Sequence, residues 1–171
     1  VQEFIDNLSK YKIRSKIEIK DLSSNYVVGI INFENFKIIQ NELGKQESTL
    51  RYRESPIFVD PRDNDLGARI ISPLEKLYLT IKKLNLKIVE NKSYIKKAFL
   101  KGIPVEGLIN LKEQLFGLEI NFEKLNAIDF KKGCYIGQEN TSRIKLRNKL
   151  RKRILPIKKI SGEIFQNDII K

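Results

Sequence analysis

Residues 131–139 read Lys131-Lys132-Gly133-Cys134-Tyr135-Ile136-Gly137-Gln138-Glu139 and hold the only cysteine of a 171-residue chain. A thiol reacts and binds metal as the thiolate, and the ammonium groups of Lys131 and Lys132 favour that form. Gly133 and Gly137 free the backbone to take positive φ and to bring other groups close to the sulfur. Gln138 and Glu139 add an amide and a carboxylate directly after. The ordinary alternative is a small buried hydrophobe beside glycine turns. So much reactive and permissive chemistry in nine residues reads as a site. Cys134 is expected in an accessible loop, titrating below an ordinary cysteine.

Working outward, the net charge of +12 concentrates next to this stretch. Between residues 131 and 159 eleven lysines and arginines stand against one acid, Glu139, which places +10 there. Residues 143–147 alternate basic and apolar with the period of a strand. Such a strand would bury Ile144 and Leu146 and aim Arg143, Lys145, Arg147 and Arg151 at one surface. A row of cations is the footprint of a polyanion such as RNA. A solvated lysine-rich face accounts for it equally, and no aromatic side chain interleaves the run to stack bases.

The octapeptide from Lys132 to Glu139 resembles the K-G-C-Y-x-G-Q-E signature of the YgfZ family. These are folate-binding proteins associated with iron–sulfur clusters and tRNA modification, and related to the glycine-cleavage T-protein, an aminomethyltransferase. The similarity extends to Glu119-x-Asn121 and Leu125-x-Ala127-Ile128-x-Phe130 upstream, and to Arg143 and Arg151 downstream. Phe58-Val59-Asp60-Pro61-Arg62 with Leu66-Gly67-x-Arg69 resembles the family's D-P-R…L-G-x-R segment. Tyr94 with Gly102-Ile103-Pro104 resembles its Y…G-I-P segment, and Lys10-Tyr11-x-Ile13-Arg14-Ser15-Lys16 its entry into a strand.

The resemblance implies a T-protein-like folate-binding α+β fold with a ferredoxin-like α/β plate and the start of a C-terminal β-barrel. On that reading, 1–145 is a partial folate-binding domain and 146–171 begins the barrel. It also implies that the chain is a fragment, which its start at Val1, its lack of methionine and its strand-like end at 162–165 suit. The implied function is an accessory role in iron–sulfur cluster assembly or repair, linked to tRNA-modifying enzymes and non-catalytic. The alternative is a tetrahydrofolate-dependent, aminomethyltransferase-like one-carbon transferase. Aminomethyltransferases carry an acidic or other non-thiol residue at the position of Cys134, and a thiol suits redox or metal exchange. Cys134 is then the cluster-related residue. Lys132, Gly133, Tyr135, Gly137, Gln138, Glu139 and Arg143 form its signature loop.

Tetrahydrofolate is the implied cofactor, with Tyr94, Glu119 and Asn121 as residues toward it. Its grip is weakened because Ala98 and Leu100 stand where the pattern carries an arginine and a glutamate. Glu119 and Asn121 could equally tie down the loop before the signature. Asp60 and Arg62 read either as a functional pair or as a turn pinned by an Asp side chain. The implied partners are a folate-type small molecule, iron–sulfur proteins or tRNA-modifying enzymes, and RNA through Arg143, Lys145, Arg147 and Arg151.

Composition agrees with a globular chain: 41% hydrophobic residues suffice for a core. One cysteine excludes a disulfide framework and suits a reducing compartment, here the cytoplasm. With no histidine in the chain, Ser-His-Asp and Cys-His systems and common zinc sites are excluded. One cysteine cannot enclose a cluster that needs about four ligands. No apolar run reaches the length of a membrane span. Patterning predicts strands over 16–22 and 26–32 joined by a turn at 23–25, and a helix over 33–43 stopped by Gly44. It further predicts a strand over 48–60, another over 68–71, and helices over 74–84, with Ser72 as cap, and 93–100. Residues 105–140 read as irregular. Alternating strands and helices suggest an α+β plate with its helices on one face.

Overall fold

A computed structural model describes residues 1–111, 113–133, 138–147, 150 and 152–165. In chain order the elements are α1 (Gln2–Ser9), β1 (Val27–Ile31), α2 (Phe33–Leu43), β2 (Thr49–Tyr52), β3 (Ser55–Val59), β4 (Ala68–Ser72), α3 (Leu74–Lys83), α4 (Asn91–Leu100) and α5 (Gln138–Arg147), with short 3-10 turns at Asn64–Leu66 and Leu108–Leu111. This is an α+β chain. Its packing divides it into two compact units, Val1–Asp60 with Gly67–Lys87, and Pro61–Leu66 with Ile88–Lys171.

The first unit is built on a sheet ordered β1-β4-β3-β2 in which every neighbouring pair is antiparallel. Strands β2, β3 and β4 form a meander, and β4 returns against β1 with Val27 opposite Ser72 and Ile31 opposite Ala68. In this order β1 and β2 run antiparallel at opposite edges. The arrangement therefore departs from the split βαβ of a ferredoxin-like plate, in which the strands flanking the first helix run parallel.

Alternation sorts the side chains between two faces. Ile31, Leu50, Tyr52, Ile57, Ala68 and Ile70 are buried on one face, packed with Phe36 and Ile39 of α2 and with Leu77 of α3. The three serine and proline groups at that layer satisfy one another: Ser55 Oγ donates to Ser72 Oγ at 2.9 Å, and Ser72 Oγ to the carbonyl of Pro73 at 3.1 Å. The opposite face carries Val28 and Ile30, both exposed.

Helix α2 runs over the predicted residues. Asn32 caps it, its side-chain oxygen accepting from Asn35 N at 2.8 Å, and Gly44 ends it in the left-handed conformation at φ 63°. Four expectations are corrected. Residues 16–22 form no strand: Leu22 is out of phase with Ile17 and Ile19, and Ile17 and Leu22 are exposed. The stretch 48–60 is a hairpin rather than one strand, reversing at Arg53 and Glu54 with φ of 49° and 66°. Neither residue carries the Asn-Gly signal of such a turn. Ser72 does not cap α3. It closes β4, and Pro73 occupies the cap position with no side-chain bond. Residues 143–147 lie in a helix, α5, which begins at Gln138, because an alternation of only five residues fits a helix as well as a strand. Helix α1 was not foreseen in the sequence. None of the described residues from 146 onward, including 163–165, forms a strand.

In the second unit Leu66, Ala98 and Ile103 form a small core, flanked by Tyr94, Val105 and Leu125. Lys101, just past α4, bridges to Asp63 at 3.1 Å and also to Asp65, holding the 3-10 turn against the helix. Hydrogen bonds that the Lys101 ammonium donates to the carboxylates of Asp65 and Asp63 raise its pKa above the ordinary lysine value.

Gly67 is the most closely approached of the described glycines of the first unit. Its φ is +82°, and a Cβ placed there would lie 1.9 Å from the carbonyl oxygen of Ile31. Gly67→Ala is therefore expected to abolish cooperative unfolding of the sheet unit, or to destabilise it far beyond the ~1 kcal/mol usual for a glycine-to-alanine exchange at positive φ. Gly44→Ala, at φ +63° with open space around it, is the control and should cost only about that amount. Urea denaturation followed by circular dichroism separates the two.

Candidate functional site

The chain approaches the cysteine through a run of tight turns from residue 116 to 132. Glu119 is buried, and its Oε2 accepts from the backbone N–H of Phe116 at 2.9 Å. The carbonyl of Glu119 accepts from Ile154 N at 3.0 Å, and Asn121 Nδ2 donates to the carbonyl of Ile154 at 2.9 Å. Both residues thus tie the loop to the segment around Ile154, and Asn121 does so from a left-handed backbone with φ 64°. Asn126, also left-handed, donates from Nδ2 to the carbonyl of Pro61 at 2.7 Å. Asp129 Oδ1 accepts from Lys131 N at 2.8 Å, a local turn that sets up the signature.

Lys131, Lys132 and Gly133 are exposed. Gly133 is not at positive φ, and among the described residues a Cβ there would meet nothing within 4 Å. Cys134, Tyr135, Ile136 and Gly137 lie outside the described residues, as does Arg151. The chain is described again from Gln138, half-buried at the start of α5, with Glu139 exposed in its first turn, where a carboxylate favours the helix dipole.

A helix turns successive residues by 100°, so α5 does not present Arg143, Lys145 and Arg147 on one surface. Arg143 and Arg147 are one turn apart and exposed. Lys145 points elsewhere. Its ammonium pairs with Glu123 and sits 5.5 Å from the centre of the Phe130 ring, which fastens α5 to the loop ahead of the signature.

The D-P-R and L-G-x-R segments supply two polar pairs, one in each unit. Asp60, whose side chain is 1% exposed, is bridged by Arg69 Nη2 at 3.0 Å. Its backbone N–H donates to the carbonyl of Gly67 at 2.8 Å, closing the 60–67 excursion. In the second unit Arg62 Nη2 donates to the Tyr94 hydroxyl at 2.8 Å. Pairing of Asp60 with Arg69, nine residues on, was missed in the sequence. A buried aspartate next to a turn, with an arginine at an alternating strand position, was the available signal. The Lys101 bridge to Asp63 and Asp65 was missed likewise.

The positions of Ala98 and Leu100 also separate. Ala98 is fully buried against Leu66 and Ile103, whereas Leu100 is 67% exposed on the wall of a cavity of about 980 Å³. Neither offers a hydrogen-bonding group, so the donor set implied for the pterin end of tetrahydrofolate is not present at these two residues. Among the described residues no three His, Cys, Asp or Glu side chains gather in a group that could hold a metal ion, and no helix is long and apolar enough to cross a membrane.

Removing one partner of the Asp60–Arg69 pair strands a buried carboxylate. Arg69→Ala is expected to cost roughly 1–3 kcal/mol, below the ~3–5 kcal/mol of a fully buried pair because Arg69 is partly solvated. The double variant Asp60→Asn with Arg69→Met should recover part of that loss. A denaturation double-mutant cycle measures both, and additive losses would show the pair to be uncoupled.

No protein-family model matches the chain. It is 33% identical over 163 residues to an iron–sulfur cluster assembly factor IBA57 homolog, mitochondrial, of Dictyostelium discoideum, covering 92% of this chain and 38% of that protein. It is 38% identical over 97 residues to a protein of the same name from Pyricularia oryzae, covering 57% of this chain and 24% of the relative. With the tRNA-modifying protein YgfZ of Buchnera aphidicola it shares 29% identity over 184 residues, covering 95% of this chain and 54% of the relative. The chain thus spans about a quarter to a half of the length of these relatives. Similarity to proteins of both names runs through nearly the whole chain, and together with the K-G-C-Y-x-G-Q-E stretch ending at Glu139 it makes the chain similar to the YgfZ family.

Proposed function

We propose that this protein is an accessory factor for iron–sulfur cluster assembly or repair, serving enzymes that include those that modify tRNA. The observation that carries the reading is the similarity, over nearly all of the chain, to relatives named for cluster assembly and for tRNA modification. The cluster is cargo: Cys134 offers one thiolate, and the client or donor protein supplies the remaining ligands. The exposed ammonium groups of Lys131 and Lys132 beside it favour the thiolate and a negatively charged cluster. The tethers at Glu119, Asn121 and Lys145 hold described segments on either side of the thiol in the sequence.

A reducing aqueous compartment suits this role. The cytoplasm and the mitochondrial matrix both qualify, and the IBA57 relatives are named mitochondrial. Contact with tRNA would fall to Arg143 and Arg147 with the exposed Lys152, Arg153, Lys158 and Lys159, acting on phosphates. Lys145, paired with Glu123, is the weakest contributor. A T-protein-like domain arrangement and a chain continuing into a barrel belong to the same proposal and rest on the resemblance.

The test is complementation. In cells lacking their own family member, the full-length protein is expected to restore both the activity of a [4Fe–4S] enzyme and the content of thiomethylated tRNA nucleosides, while Cys134→Ser at equal abundance restores neither. Full restoration by Cys134→Ser would remove the thiol from the mechanism. Failure of the unaltered protein on both readouts would remove the accessory role.

Tetrahydrofolate binding is proposed to be weak, because Ala98 and Leu100 supply neither charge of the family pattern. Each missing charge-assisted bond is worth roughly 1.5–3 kcal/mol, or about tenfold or more in affinity. Calorimetry on the full-length protein should give a dissociation constant above the low micromolar range. Leu100→Glu, at an exposed position, should tighten it by about tenfold, whereas Ala98→Arg should unfold the small core it would have to enter. Low-micromolar binding by the unaltered protein would show that other residues replace these contacts.

A further inference from the structure

Helix α4 divides its residues between two environments. Tyr94 and Ala98 face the small core with Leu66 and Ile103. Lys92, Ile95, Lys96 and Phe99, spaced i, i+3, i+4 and i+7, form one wall of the cavity of about 980 Å³. Its other walls come from residues 102–104, 106–108, 110 and 111 and from Ile154 to Ile157. The wall chemistry is graded along the helix. Lys92 lies in its first turn and Lys96 one turn later, and Phe99 and Leu100 close its end, about 11 Å beyond Lys92 and about 5 Å beyond Lys96. Leu100, Leu155 and Ile157 are all more than half exposed although they line the cavity, so apolar surface stands open to water there.

The charged residues that line the space are Lys92, Lys96 and Glu106. Lys96 has no ion-pair partner among the described residues, and Lys92 has only Glu90 at 3.8 Å, with both side chains in solvent. Beyond these, the walls are mostly aliphatic, with one aromatic ring, that of Phe99. A polar heterocycle would leave most of its donors and acceptors without partners against such walls. An unbranched hydrocarbon would lose nothing and would cover the exposed leucines and isoleucines.

We propose that this cavity binds a long-chain carboxylate, its head on Lys92 and Lys96 and its alkyl chain along Phe99, Leu100, Leu155 and Ile157. The site is separate from the cluster chemistry of Cys134 and does not depend on it.

The experiment displaces a fluorescent 16-carbon carboxylate from the full-length protein, below its aggregation concentration, with palmitate and with hexadecanol. Palmitate is expected to compete at least tenfold better than the alcohol. Lys92→Gln with Lys96→Gln should remove that preference, an effect of about tenfold for two solvent-flanked charges. Ile157→Asp and Leu100→Glu, both at exposed positions, should weaken both ligands while leaving the denaturation midpoint in place. The effect of Leu100→Glu is opposite in sign to that expected for tetrahydrofolate, which separates the two ligands. Equal competition by acid and alcohol, or affinity unchanged in Ile157→Asp and Leu100→Glu, would overturn the proposal and mark the uptake as non-specific.

Discussion

The backbone of Gly67 lies so close to the carbonyl of Ile31 that no side chain fits between them, and the order of the sheet depends on this contact. It lets β4 start directly beside the end of β1, with Ala68 opposite Ile31. The carbonyl of Gly67 turns back to accept from Asp60, so the excursion from 60 to 67 closes on itself. With that closure made, Asp60 is buried under Arg69, and Ile57 and Ile70 meet across the sheet. Helices α2 and α3 then have a continuous apolar layer to cover.

Polar groups are handled differently in the two units. In the first they are buried as closed chains, Ser55 to Ser72 to Pro73 and Asp60 to Arg69, and among the described residues no buried side-chain polar atom lacks a partner. In the second they act as ties between irregular segments: Glu119 and Asn121 to Ile154, Asn126 to Pro61, Lys101 to Asp63 and Asp65. A loop-rich unit with a core of three buried side chains buries little area per residue. Directed hydrogen bonds therefore carry more of its definition. The approach to the signature is held in place this way, while Lys131, Lys132 and Gly133 stay in solvent.

The signature itself asks little of the local backbone at its first glycine. Gly133 is not left-handed, and among the described residues nothing lies close to it. An exposed, small, basic approach to a thiol suits the proposed role in cluster assembly, because a bulky neighbour would hinder access to the sulfur. Exposed lysines rather than buried ones also suit the role, since they attract an anionic cargo without a desolvation cost.

Local chemistry was legible in the sequence wherever one segment contains its own reason. Helix α2 has a sustained apolar stripe and a glycine stop, β1 and β4 are short apolar runs, and the octapeptide around Cys134 carries enough specific residues to name the family. Features that depend on distant partners were not legible. Arg53 and Glu54 hold left-handed turn conformations only because β2 and β3 pair on either side of them. Residues 16–22 have strand-like alternation, yet they pair with nothing in the sheet. The alternation at 143–147 fits a strand as well as a helix, and Lys145 is directed by Glu123 and Phe130 from another segment. The same holds for the candidate site. Sequence alone singled out Cys134, Lys131 and Lys132 as candidates, because a thiol and an ammonium group act through their own side chains and immediate neighbours. Tertiary structure alone decided that Asp60 belongs to Arg69, Arg62 to Tyr94, and Glu119 and Asn121 to the backbone at Ile154, because these pairings require chain closures whose geometry no single segment encodes.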